Sequence, residues 1–246
     1  MWSGRVTFGD YWVGYTGNTD QNQIHAHIAT QLAIGIGAEV SMVSTDGVIR
    51  GAAIVVAPRT PHRVETEQGQ VMFIYLAPQS ALSRALLQPI DEHGVAVLDA
   101  ALLAGLKVDA DVAAVVAQLC QTLKLATGAM DVRLELAMEM LKADRQSLGA
   151  IARAAEAAGL STARLRALAQ ASLRVPLSQW LLWRKLELAC LAIAAGESLA
   201  SAAVAGDFAD QAHLARTMRR MFGISPSDAV APLQVHKRFV QDAASS

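Results

Sequence analysis

At 246 residues, 53% hydrophobic and 17% charged, the chain is long enough for one large or two moderate domains with proper cores, and its composition excludes a disordered protein. The formal net charge of −1 hides a split: residues 1–144 hold 9 Lys/Arg against 15 Asp/Glu and residues 145–246 hold 12 against 7, so only the second half suits a polyanion. Cys120 and Cys190 make no disulfide framework and lack zinc-motif partners, no apolar run reaches bilayer length, and the opening MWSGRVTFGDYW has no apolar signal-peptide core. The expectation is a cytoplasmic protein with no membrane partner.

The first 80 residues read as strands. QIHAHIATQ at 23–31 spaces His25, His27 and Gln31 two and four apart, so on a strand all three point to one face and converge. Such a set can hold an ion or line a polar pocket. QLAIGIGAEVSMV, AAIVVAPRTPHRV and QVMFIYLAP follow, separated by turn material such as TDG at 45–47 and EQGQ at 67–70. Regular short strands imply a barrel or sandwich.

From about residue 80 the period becomes helical and stays so. In DADVAAVVAQLCQTL the apolar face is Val112, Val115, Val116, Leu119 and Leu123; in DVRLELAMEMLKAD it is Leu134, Met138 and Leu141. Packing within the chain is the default for such stripes, and a second copy of the chain is the other surface they suit.

The last hundred residues contain an internal repeat. AEAAGLSTARLRALAQASLRVPLSQW from Ala155 aligns with AVAGDFADQAHLARTMRRMFGISPSDAV from Ala203, pairing Gly159 with Asp207, Leu165 with Leu214 and Arg174 with Gly223. Each unit reads as helix, tight turn, helix. Gly159 and Asp207 suit the left-handed turn position, Ser161 or Thr162 and Asp210 suit the following N-cap, and Pro226 suits the first turn of a further helix, SPSDAV. Two such units in a basic segment point to double-stranded DNA, because a helix fits the major groove with its first turns at the base edges.

GDFADQAHLARTMRRMFGISP, residues 206–226, resembles the signature of the AraC/XylS family of transcription regulators through Phe208, Asp210, Gln211, Leu214, Arg216, Arg219, Arg220, Gly223, Ser225 and Pro226. WLLWRKLELACLAIAAGESLASAA resembles the family's long linking helix, so the likeness covers about residues 131–230. It implies that Gln211, Ala212, His213 and Arg216 face bases in the second unit, and Ala163, Arg164, Arg166 and Ala167 in the first. Arg can pair with guanine and Gln with adenine, whereas Ala offers only a methyl contact; Arg219, Arg220, Arg174 and Lys185 suit phosphates or acidic neighbours. Ala169 and Arg174 in the first unit stand where the family has an aromatic and a glycine; Asp207 and Met218 are the second unit's departures for a glycine and an aromatic.

Many regulators of that family carry an N-terminal cupin-like barrel that binds a small effector, and residues 20–80 look like one. His25 and His27 match the H-x-H of the cupin metal pattern, Gln31 replaces its Glu, and His62 stands at its last ligand. A neutral Gln leaves a cation's charge uncompensated, so these four residues read as an effector pocket, with no metal, other cofactor or catalytic residue expected.

The resulting expectation is a two-domain α+β protein: a cupin-like β-barrel at 1–80, linker or dimerisation helices at 81–130, and an all-α domain with two helix-turn-helix units at 131–246. Its function is sequence-specific transcription regulation in response to a small effector, as a homodimer with RNA polymerase as a further partner. The alternative is a cupin-type metal-dependent enzyme with a helical appendage.

Overall fold

The computed structural model describes residues 3–18, 23–44, 47–66, 69–106, 108, 111–125, 130–144 and 149–227. Parts of the TDG and EQGQ turns, residues 109 and 110, and the SPSDAV helix beyond Ser227 lie outside the described residues.

The N-terminal half is antiparallel sheet. Strands β1 (Ser3–Gly9), β2 (Trp12–Asn18), β3 (Thr30–Ile36), β6 (Ala53–Val56), β8 (Gln70–Leu76) and β9 (Val95–Val97) form one sheet in the order β1-β2-β8-β3-β6-β9. β4 (Val40–Ser44), β5 (Gly47–Gly51) and β7 (His62–Thr66) form a second, ordered β5-β4-β7. Among the described residues no ladder joins the two sheets into a closed cylinder, and an isolated bridge ties His25 to His62.

Period-2 alternation in the central strands divides the apolar side chains between two cores. Leu32, Ile34, Met72, Ile74 and Leu76 pack with Leu82 and Leu86 of α1 (Ala81–Leu86) and with Val112, Val115 and Leu119 of α3 (Val112–Thr122). Ala33, Val71 and Phe73, on the other face, join Val40, Met42 and Val64 of the smaller sheet in a cluster that runs on into the C-terminal helices.

Two expectations need correction. QLAIGIGAEVSMV is two strands in different sheets, because the chain turns at Gly37 (φ +82°) and Gly35 has backbone where a Cβ would stand, 1.8 Å from the Ala38 carbonyl oxygen. The region after residue 80 is not helical throughout: Val95–Val97 pairs with β6, Ile54 opposite Val97. This strand is three residues long, too short for alternation to show against the apolar run around it.

Beyond the short α2 (Ala100–Leu103), the C-terminal half comprises α4 (Val132–Ala143), α5 (Ala150–Ala157), α6 (Thr162–Leu173), α7 (Leu177–Ala194), α8 (Leu199–Ala205) and α9 (Gln211–Phe222). The expected α4 stripe, Leu134, Met138 and Leu141, is buried. α7 buries Leu177, Trp180, Trp183, Leu186 and Ala189 at helical spacing and joins the two units.

The repeat is reproduced in the backbone. Gly159 (φ +67°) and Asp207 (φ +56°) make the turns, and Arg174 (φ +56°) and Gly223 (φ +70°) end α6 and α9. The Ser161 hydroxyl accepts from the Arg164 backbone N–H at 3.2 Å, and the Asp210 carboxylate from that of His213 at 2.6 Å. Ala169 and Met218 fill equivalent, wholly buried places.

Arg174 holds a left-handed conformation that costs a non-glycine residue about 1 kcal/mol or more, and among the described residues its side chain hydrogen-bonds the Leu87 carbonyl at 3.4 Å. Arg174→Gly should therefore stabilise the fold by about 1 kcal/mol in urea denaturation; an unchanged or lower midpoint would show that side-chain packing outweighs the strain.

Candidate functional site

α6 turns Leu165, Ala169 and Leu173 inward, leaving Ala163, Arg164, Arg166 and Ala167 exposed. α9 buries Leu214, Thr217, Met218 and Met221 and exposes Gln211, Ala212, His213, Arg216, Arg219 and Arg220. All ten residues expected to face DNA thus lie on the solvent side of the second helix of their unit.

The two faces differ in charge. Residues 211–227 contain no acid, so Arg216, Arg219 and Arg220 make a cationic stripe. Arg164 has Asp131 nearby, a carboxyl pushed down to about 2 mainly by hydrogen bonds from Arg133, with a smaller pull from Arg164. Of the other expected phosphate contacts, Lys185 pairs with Asp207 at 2.5 Å. The His213 ring stands edge-on to Phe208, 5.3 Å between centroids.

The C-terminal end of α9 rests on the sheet half. Phe222 stacks edge-on against Tyr75 of β8 (5.7 Å) and Trp183 of α7 (6.0 Å), and the Ala26 N–H donates to the Arg220 carbonyl at 3.4 Å. Beside this contact an apolar cavity spans both halves. Val6, Phe8, Val13, Tyr15 and Tyr75 line it from the sheet, and Trp183, Leu186, Cys190, Met218 and Phe222 from the helices. Its charged lining residue is Glu187, which is paired with Arg184. No single segment of the sequence shows that two halves supply one cavity.

The four residues expected to form a pocket do meet, in a buried cluster. His25 lies in the bridge to His62, which opens β7; Gln31 lies in β3; His27 lies between them outside any strand. Ring centroids are 4.6 Å apart for His25 and His62 and 4.8 Å for His27 and His62, and one ring nitrogen from each of the three residues lies within 4.8 Å of the others. Tyr75, which lines the cavity, stands edge-on to His27 at 5.3 Å.

Hydrogen bonding sets the tautomers. Each Nδ1–H donates to a backbone carbonyl: His25 to Gln23 (2.9 Å), His27 to Ala29 (2.8 Å) and His62 to Thr60 (2.8 Å). The Nε2 atoms of neutral rings are then acceptors. The Gln31 side-chain oxygen, 2.8 Å from His27 Nε2 and 2.7 Å from His62 Nε2, would face two lone pairs. Turning the amide over lets its two N–H groups donate to both rings, and this is the arrangement neutral imidazoles require. His25 Nε2 is buried with no hydrogen-bond partner among the described residues. Neutrality agrees with the electrostatics. Burial, then repulsion from His25, pushes His27 down to about 4; burial, then its neighbours, holds His62 well below the usual range, and burial lowers His25.

Residues 154–231 match the family model described as a helix-turn-helix domain. The C-terminal region is an AraC-type helix-turn-helix domain. With this AraC-type domain the chain is a DNA-binding transcription regulator. No curated protein matches it. Among solved structures it is similar to an apo ToxT variant from Vibrio cholerae strain SCE256 (TM-score 0.59, 8% identity, 92% of this chain and 99% of that one). It is also similar to wild-type ToxT of that strain bound to unsaturated fatty acid (TM-score 0.55, 9% identity, 94% and 93%). A third is ToxT from Vibrio cholerae O395 bound to (E)-4-(8-methylnaphthalen-1-yl)but-3-enoic acid (TM-score 0.54, 10% identity, 95% and 99%). At such identities the likeness is one of fold: a sheet-rich half followed by the helices of the AraC-type domain.

Because the three imidazoles are neutral when folded, the unfolded chain binds more protons below the ordinary histidine value of 6.5, and stability should fall on acidification until about pH 4, where folded His27 itself titrates. The wild-type Tm should accordingly drop further over that range than the Tm of a His27→Gln variant; parallel curves would mean that His27 is not held neutral.

Proposed function

We propose that this regulator reads a specific DNA sequence with both helix-turn-helix units and that a small effector, bound in a cupin-like N-terminal half, sets its affinity. The observation that carries the reading is the duplicated turn geometry with every candidate base-facing side chain outward. Gln211, Ala212, His213 and Arg216 would read bases in one major groove, and Ala163, Arg164, Arg166 and Ala167 in the next. Arg219 and Arg220, a turn further along α9, would hold phosphates. The second unit, whose recognition helix carries three arginines and no acid, would supply more of the affinity than the first.

The sensing end comprises the apolar cavity and, behind Tyr75, His25, His27, Gln31 and His62. Two of the solved relatives carry apolar molecules with a carboxylic acid; Glu187 in this cavity favours an apolar effector without one. A ligand there touches both α7 and α9, so it binds differently when α9 is docked and when it is displaced, the condition for shifting an equilibrium. We take residues 1–80 as the sensor, 81–130 as linker and dimerisation helices, and 131–246 as the DNA-binding domain, in a cytoplasmic homodimer that works with RNA polymerase.

On a duplex selected from a random pool by the wild-type protein, Arg216→Ala should weaken specific binding roughly 10- to 100-fold, the size of one lost bidentate base contact, and leave non-specific binding less affected. Wild-type affinity should fall steeply with salt as counterions are released. Fluorescence anisotropy reads both, and unchanged specific affinity would remove Arg216 from the base-reading set.

A further inference from the structure

We propose that a cleft between the sheet half and α4 binds a small organic cation with an apolar or aromatic body and one hydrogen-bond-accepting oxygen, and that this ligand sets the position of the first recognition unit. The regulatory half of this inference rests on the DNA-reading role of α6 proposed above; the binding site itself does not.

The cleft is separate from the cavity beside α9. Its volume is about 530 Å³, within the roughly 300–1,000 Å³ of small-molecule sites. Trp12 and Leu76 line it from the sheet, Leu82 from α1, Val116 from α3 and Met138 from α4, which makes its body apolar.

Three polar features select the occupant. The first is Gln79, a lining residue only 9% exposed. Its Oε1 accepts from Trp180 Nε1–H, and an indole can only donate, so the amide cannot be turned over. Gln79 Nε2 is thereby fixed as a donor, and it is buried with no hydrogen-bond partner among the described residues. An unmet buried donor costs free energy, which a carbonyl or ether oxygen of a ligand would recover. The second feature is charge. Of the lining cations, Lys142 is paired with Glu139 and Arg84 donates to the Gln79 carbonyl at 2.6 Å. Asp10 and Glu135, both exposed on the rim, have no ion-pair partner among the described residues, so the rim favours a cation over an anion. The third is the Tyr11 ring, 48% exposed on the same rim, over which the Lys142 ammonium stands 6.0 Å from the centroid. Its face attracts cations.

The cleft lies where the two cores meet. Leu76 and Leu82 belong to the core of the sheet with α1 and α3, whereas Met138 belongs to the cluster that holds Leu165 and Ala169 of α6. A ligand between them binds differently when α4 shifts against the sheet, and Gln79 ties the same site to Trp180 of α7. Occupancy and the placement of the first unit are therefore linked, and the link is read as a change in DNA affinity.

The test uses the full-length chain and isothermal calorimetry with procainamide, which carries an aromatic ring, an amide oxygen and a tertiary ammonium. The expected result is one molecule bound per chain. N-butylbenzamide, which lacks the charge, and hippurate, which carries a carboxylate instead, should each bind about tenfold more weakly or worse. Gln79→Glu keeps an oxygen for Trp180 and removes the donor, and Ala81→Trp fills the cleft from α1; each should weaken procainamide about tenfold or more. Saturating procainamide should change affinity for the selected duplex about fivefold or more in wild type and leave it unchanged in Ala81→Trp. No stoichiometric binding to wild type, or binding untouched by both substitutions, would overturn the site. Hippurate bound as tightly as procainamide would overturn the assignment to a cation. Binding that leaves wild-type DNA affinity unchanged would overturn the linkage. Failure of the wild-type chain to bind any duplex would instead sink the DNA-reading proposal, while calorimetry would still decide the site.

Discussion

Burial of Trp180 makes the sheet half and the helical half one body. Its indole is wholly enclosed in the cluster that runs from the inner strand faces into the C-terminal helices, and its Nε1–H donates to the Gln79 side-chain oxygen at 3.0 Å. Emptying a place of that size costs about 3–5 kcal/mol, a large part of a domain's net stability. Trp183, one turn along α7, extends the contact to Phe222, and Phe222 to Tyr75. The position of α9 is thus set by packing that begins at α7, and whatever alters the Tyr75 region is felt at the end of α9.

This arrangement places two different chemical environments side by side. The cavity is apolar and offers shape and dispersion contacts; the histidine cluster beyond Tyr75 is polar, buried and neutral. Burial keeps the imidazoles uncharged, and the carbonyls of Gln23, Ala29 and Thr60 keep each ring in one tautomer. The exposed arginines of α9 lie at the opposite chemical extreme, in water and free of neighbouring acids in their own segment. A single helix of twelve residues therefore links a solvated cationic face to the buried cavity and polar cluster.

The DNA-binding half was legible because its determinants are local. A left-handed residue, a capping side chain and an apolar stripe each depend on neighbours within a few positions, so the match of Gly159 with Asp207 and of Arg174 with Gly223 appears in the sequence and again in φ. The histidines were half legible. Alternation suggested that His25, His27 and Gln31 converge, but His27 lies outside regular strand, and the neutral rings follow from burial and from carbonyls that no spacing rule identifies. β9 was hidden because three residues carry no readable period.

The sequence by itself determined the two recurring turns, the outward-facing arginines and glutamine, the acidic-to-basic change between halves, and the four residues of the polar cluster. The first three are properties of residue type and short-range spacing; in the cluster, spacing joined His25, His27 and Gln31, and the cupin resemblance added His62. Only the tertiary structure decided the strand order, the cavity shared by β1, β2, β8, α7 and α9, and the seating of Gly223 against His25. These depend on residues far apart in the sequence meeting, as His25 and Gly223 do across about 200 positions, and such contacts arise when all the apolar faces are buried at once.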